Sequence, residues 1–200
     1  MTNSHFRSKA GLRALLGSAL LLAATTTSIQ AQDPRAAMTA EAVKAMQRFE
    51  WLAGEWEGPA SIQNAGRSFQ LTQHEQVNLA ARATALLIEG RGRMKTSPTG
   101  PEQEVFGAAG VLTYDAGQKK YRFFSTGGTG QAGEAKVETV GENGLVWSMG
   151  EAGPQRTRYT ITRTASGTWY EKGETSADGG TTWSVILEMT LTKLPAKKAP

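Results

Sequence analysis

The 200-residue chain has no cysteine. This excludes a disulfide framework, thiol nucleophiles, thiolate metal sites and a lipidated cysteine anchor. Histidine is nearly as scarce: the chain has two, and only His74 lies beyond residue 31. Histidine-rich metal sites are therefore excluded, and a serine triad would have to use His74 without any Gly-x-Ser-x-Gly elbow to support it. No apolar run reaches the roughly 20 residues that span a bilayer. Phosphate loops are missing too. The glycines of Gly107-x-x-Gly110 and Gly127-Gly-x-Gly130 are not followed by Lys-Ser/Thr or by a helical pattern, so they read as hairpin glycines. Carboxylate pairs are available for acid–base work, but the sequence singles none out, and no catalytic residue is assigned.

What is present begins with an address. Arg7, Lys9 and Arg13 precede an apolar stretch, residues 14–24, and a Thr/Ser run that ends in Ile29-Gln-Ala31. That order of charged, apolar and small residues is a secretory signal peptide, with cleavage expected after Ala31. The protein is therefore expected to be exported: periplasmic where an outer membrane retains it, otherwise secreted. Residues 1–31 hold three of the 22 bases and none of the 18 acids, which leaves 19 bases against 18 acids. The pI of 9.4 thus owes much to the signal, and neither nucleic acid nor a stable membrane anchor is an expected partner. Lys197 and Lys198 lie among Pro and Ala in a terminal tail, residues 195–200, and Lys193 just before it completes a small basic end.

Residues 32–45 read as a linker and the start of a helix. Met38, Ala42, Met46 and Phe49 share one helical face, and Thr39 is the expected N-cap. In the segment Phe49-Glu-Trp-Leu-Ala-Gly-Glu-Trp-Glu-Gly58, Leu52 and Trp56 are apolar anchors. Gly54 supplies a tight break between them, and Trp56 is placed to plug the end of a barrel.

Beyond Gly54 the period changes to two. Trp183, Val185, Leu187, Met189 and Leu191 occupy alternate positions, as do the residues of Lys119–Ser125 and Thr157–Arg163. Turn signals such as Asp115-Ala-Gly117, Glu142-Asn-Gly144 and Asp178-Gly-Gly180 separate these runs. Strands are predicted at 54–63, 67–80, 83–93, 103–114, 119–126, 131–140, 144–149, 155–164, 168–176 and 181–193. With short connections throughout and no internal repeat, the expected fold is all-β: an up-and-down ten-stranded antiparallel barrel over residues 46–194, with a short N-terminal helix.

Three stretches carry a resemblance. Leu52-Ala-Gly54-x-Trp56-x-Gly58 resembles the opening of the lipocalin-like, calycin-type superfamily of ten-stranded barrels, which includes nitrobindins and fatty-acid-binding proteins. Gly110-Val-Leu-Thr-Tyr-Asp-Ala-Gly-Gln-Lys-Lys-Tyr121 and Ser176-Ala-Asp-Gly-Gly-Thr-Thr-Trp183 resemble a set of uncharacterised bacterial proteins in it. Nitrobindins hold haem through a histidine on a late strand, and this chain has none between Trp183 and Lys193. Haem, if present, would take His74, Tyr121, Tyr159 or a methionine as axial ligand. As an isolated histidine in a polar run, His74 reads equally as a strand residue with no special role. No cofactor is expected otherwise.

A closed ten-stranded barrel is wide enough to hold a small apolar or amphipathic molecule. The expected walls are Tyr121 and Phe123, Trp147 and Met149, and Trp183 with Leu187. Arg156 and Arg158 share a strand face. If it points inward, they would clamp a carboxylate or phosphate; if outward, they are surface charges. Tyr159 and Ile161, on the opposite face, are the more natural core residues. Three functions remain open from the sequence: a carrier of a small ligand, a nitrobindin-like haem protein acting on reactive nitrogen species, and a ligand-free interaction barrel.

Overall fold

A computed structural model of the chain describes residues 33–97, 99–150 and 153–196. The predicted signal segment, its cleavage site and the tail lysines Lys197 and Lys198 lie outside the described residues.

Helix α1 (Pro34–Met46) starts earlier than Thr39. Asp33 is the cap, its Oδ1 accepting from the Arg35 N–H at 2.9 Å, and Pro34 sits in the first turn, where its missing N–H costs nothing. Thr39 lies inside the helix and donates its hydroxyl to the Arg35 carbonyl. Met38, expected on the docking face, is 48% exposed, whereas Ala42 and Met46 are buried. A tight helical turn, Gln47–Leu52, carries Phe49 and Leu52 fully into the core. Gly54, at φ +127°, then swings the chain into the first strand.

Ten strands follow: β1 (Gly54–Asn64), β2 (Arg67–Ala80), β3 (Ala85–Lys95), β4 (Glu102–Asp115), β5 (Lys120–Gly127), β6 (Ala132–Val140), β7 (Gly144–Met149), β8 (Arg156–Arg163), β9 (Trp169–Ser176) and β10 (Ser184–Lys193). Each is antiparallel to its neighbours in sequence. β10 pairs with β1 through Trp56↔Lys193 to Ile62↔Leu187, which closes the barrel. This is the expected architecture, with strand bounds shifted by a few residues. The largest shift is at β10, which begins at Ser184 because residues 177–183 form a loop.

The even meander puts four turns at the end where β1 begins and five at the opposite end. The end where β1 begins is plugged. Met46, Phe49 and Leu52 sit in it, and Phe49 meets the Tyr121 ring edge-on at 5.1 Å. The Tyr121 hydroxyl donates to the Ala45 carbonyl at 2.9 Å, the Trp51 indole to Asn143 at 2.9 Å, and Arg48 to the Gly141 carbonyl. Trp56 packs edge-to-face with Trp51 and Trp169, at 5.8 and 5.9 Å, and its N–H is satisfied by the Leu52 carbonyl. Such pairs add about 0.5–1.5 kcal/mol each beyond the area they bury. The opposite end is ringed by turns alone among the described residues.

Because plug and barrel share one apolar cluster, Phe49→Ala should destabilise the whole domain by about 3–5 kcal/mol. Urea unfolding should show this as a lower midpoint in a single transition; a separate early transition would mean that the plug melts independently.

Candidate functional site

Alternation along each strand sorts side chains into an inner and an outer set. On β2 the inner set runs Leu71, Gln73, Glu75, Val77, all buried, while His74 faces out. On β9 it runs Trp169, Glu171, Gly173. The barrel centre therefore holds two carboxyl groups, Glu75 and Glu171, 7% and 6% exposed. Each has one neutral donor: the Gln73 amide gives Nε2–H to Glu75 Oε1 at 2.7 Å, and the Trp169 indole gives Nε1–H to Glu171 Oε2 at 3.2 Å. No cation pairs with either among the described residues. Burial pushes the Glu75 carboxyl up to about 7 against the hydrogen bond from Gln73. Burial, helped by repulsion from Glu75, pushes Glu171 up to about 8. Around neutral pH the pair holds protons that ordinary surface carboxylates would have lost.

Small residues make room for these groups. A side chain on Gly90 would come within 2.5 Å of Glu75 Oε1, and one on Gly173 within 2.7 Å of the Tyr159 ring. Tyr159 stacks on Trp147 with centroids 4.1 Å apart and planes 12° from parallel, and Phe123 meets Trp147 edge-on at 5.1 Å. Burial, then the neighbouring Glu171, raises the Tyr159 hydroxyl pKa. Trp147 and Leu187 are only partly buried, and with Ile62 and Met94 they fringe the core towards the unplugged end.

The eight residues expected to bind ligand divide into two groups. Phe123, Trp147 and Leu187 face inward, as expected, and Tyr121 faces inward but is tied into the plug. Arg156 and Arg158 face outward: Arg158 pairs across the wall with Glu174, while Tyr159 and Ile161 take the inner positions. Trp183 corrects the expectation from alternation. A bulge between Val185 and Leu187 breaks the period, so that Val185 sits opposite outward Glu174 and Leu187 opposite inward Gly173. Trp183 therefore belongs outside, over Arg158 with its ring centroid 4.0 Å from Cζ. Met149, 38% exposed at the end of β7, lines the same outer depression.

His74 stands 3.7 Å from Glu55 on the outer wall. It does not fit as an axial ligand for haem inside the barrel, and Tyr121 has its hydroxyl committed to the plug. Among the described residues no group of three or more histidine or acidic side chains is arranged to hold a metal ion. Glu75 and Glu171 were passed over in the sequence, although a signal existed. Each is an acid in phase with apolar residues of an alternating strand, Glu75 with Leu71 and Val77 and Glu171 with Trp169.

No protein-family model matches the chain, and a comparison with curated proteins gives no match either. Solved structures do match in fold. Rv2717c from M. tuberculosis superposes with a TM-score of 0.53 at 11% identity, covering 77% of this chain and 98% of that one. The S-type phycobiliprotein lyase CPES from Guillardia theta gives 0.51 at 10% identity, covering 79% and 98%. At these identities the likeness is one of fold.

The buried pair makes stability depend on pH. From an ordinary value of 4.5, the folded state keeps protons that the unfolded chain releases, so stability falls as pH rises from about 5 to about 8, by up to about 1.4 kcal/mol per pH unit per carboxyl. Urea midpoints across that range should decline in the wild type and decline less in Glu171→Gln. A flat wild-type profile would contradict the assignment.

Proposed function

We propose that this is an exported binding protein that takes a small apolar or amphipathic molecule through the unplugged end of its barrel. In this reading the apolar body of the ligand lies along Trp147, Tyr159 and Leu187, and a hydrogen-bond donor on it meets the Glu75–Glu171 pair. The observation that carries the reading is the pair itself. Burying two carboxyls with one neutral donor each costs several kcal/mol relative to an apolar filling of the same volume. A purely structural interior has no use for them. The calycin-like fold supports the reading, since one of the matching structures is a lyase for phycobiliproteins. The order of bases, apolar run and small residues in 1–31 supports export.

A second reading, an interaction barrel with a packed interior, is favoured by a different observation. The spaces above Gly90, Gly110 and Gly173 are filled by Glu75, Phe123 and Tyr159. A ligand in the first reading therefore displaces the Tyr159 ring to reach the carboxyl pair.

N-phenyl-1-naphthylamine separates the two readings, being apolar, uncharged and equipped with one N–H donor. Its fluorescence should rise saturably with wild-type protein. Trp147→Ala should weaken binding by about tenfold or more, since it removes one side of the aromatic stack. No saturable rise with folded wild-type protein would leave the packed interior as the function-bearing form. After a saturable rise, native mass spectrometry of protein from its own exported fraction would identify the natural adduct by mass.

A further inference from the structure

A second site lies on the outer wall, where the loop between β9 and β10 overhangs β7, β8 and β9. It is a depression of about 470 Å3, and its lining includes Arg156, Arg158, Lys172, Glu174, Met149 and Trp183. The sequence motif Ser176–Trp183 builds one wall. The Asp178 carboxylate accepts from the N–H groups of Thr181 and Thr182 at 3.0 and 2.8 Å, and from the hydroxyls of Thr182 and Ser176 at 2.7 and 2.8 Å. These bonds hold its pKa well below the usual carboxylate range and fix the loop. Gly179 and Gly180 supply the left-handed backbone, at φ +72° and +95°. The Trp183 N–H is tied back to the Gly180 carbonyl at 3.0 Å, so the indole is held in place before any ligand arrives.

Among the described residues, the charges lining this depression do not balance. Glu174 is buried, and both of its oxygens are used: Oε2 accepts from Arg158 Nε and Oε1 from Lys172 Nζ, each at 2.8 Å. One carboxylate thus faces two cations. Burial alone would raise its pKa, but the bonds from Lys172 and Arg158 outweigh that and leave it lowered. Glu138, also at the edge, is paired with Lys136 at 3.0 Å. Arg156 adds a further cation, and its Nε is buried without a hydrogen-bond partner among the described residues. Its Nη1 and the edge of Trp183 both lie 3.4 Å from where a side chain on Gly180 would stand, so glycine keeps open the space between guanidinium and indole. An unsatisfied buried donor in a natural protein calls for a reason.

We infer that this depression binds a flat organic anion, its carboxylate or phosphate held by the guanidiniums of Arg156 and Arg158 and its body lying against Trp183 and Met149. The site is separate from the barrel interior and does not depend on the interior being occupied. Arginine suits the task because its planar fork presents paired donors to an oxyanion, and because it stacks on indole without losing them. The uncompensated charge admits either oxyanion, while the aromatic wall selects a flat body over an inorganic ion.

Calorimetric titration with 2-naphthoate, 1-naphthyl phosphate and uncharged 2-naphthamide tests the inference. At least one of the two anions should bind saturably and about tenfold or more tighter than the amide, and the tighter of the two identifies the head group. Arg156→Ala should reduce that affinity by about tenfold, and Arg156→Lys, which keeps the charge but loses the fork, should recover only part of it. In spectra of 15N-labelled protein, the indole N–H resonance missing from Trp183→Phe should shift on titration. Equal affinity for anion and amide, no binding of either anion, or an Arg156→Ala variant with unchanged affinity and an intact fold would each overturn it. N-phenyl-1-naphthylamine uptake in Arg156→Ala keeps the two sites apart, because this variant should leave interior binding unchanged.

Discussion

The hydrogen-bonded pairing of β1 with β10 is the constraint on which the remainder of the molecule depends. It joins the first strand to the last and turns a ten-strand meander into a closed wall. Closure leaves no sheet edge to protect, and it forces every second side chain into one bounded interior. From then on, the face on which a residue lies decides its chemistry. Glu171 and Lys172 are neighbours in sequence, yet one sits in the barrel core and the other forms a surface ion pair.

A closed tube must also be stoppered, and among the described residues the stopper sits at the end where β1 begins. The three-tryptophan cluster of Trp51, Trp56 and Trp169, with Phe49 and Leu52 beside it, fills the end where the helical segment enters. Indole N–H groups that would be costly to bury bare are returned to backbone carbonyls or to Glu171. The asymmetry between a packed end and an end ringed by turns gives the barrel a direction. The proposed ligand path follows that direction, past the Trp147–Tyr159 stack towards the two carboxyls. On the wall outside, the β9–β10 loop performs a different task with the opposite charge. It holds an indole rigidly over one guanidinium and beside another.

Much of this was legible in the linear chain. Period-two runs and turn dipeptides placed the ten strands, and Trp56 after Gly54 marked the plug. The helix was visible but its start was not, because Asp33-Pro34 is as good a beginning as Thr39 and lay inside what read as a linker. The candidate sites were harder to see. Met149 and Trp183 read as walls of an interior pocket, and Arg156 and Arg158 as a clamp there only if their strand face pointed inward. Arg156 and Arg158 lie outward by the plain alternation of β8, and Trp183 joins them on the outer wall because one bulged residue of β10 reverses the alternation before Leu187. A bulge leaves no mark in hydrophobic periodicity when the residues on both sides of it are apolar, as Val185, Ile186 and Leu187 are.

By itself, the sequence determined the class of the fold, the strand order and the exclusion of thiol and histidine-cluster chemistry, since these follow from local periodicity, turn chemistry and composition. Only the tertiary structure decided which acids lose their solvent, that Glu75 and Glu171 share one interior, and that the buried Nε–H of Arg156 has no partner among the described residues. Those properties arise between strands distant in the chain. Desolvation and charge coupling depend on what surrounds a group in space, and the closing of the barrel sets those surroundings.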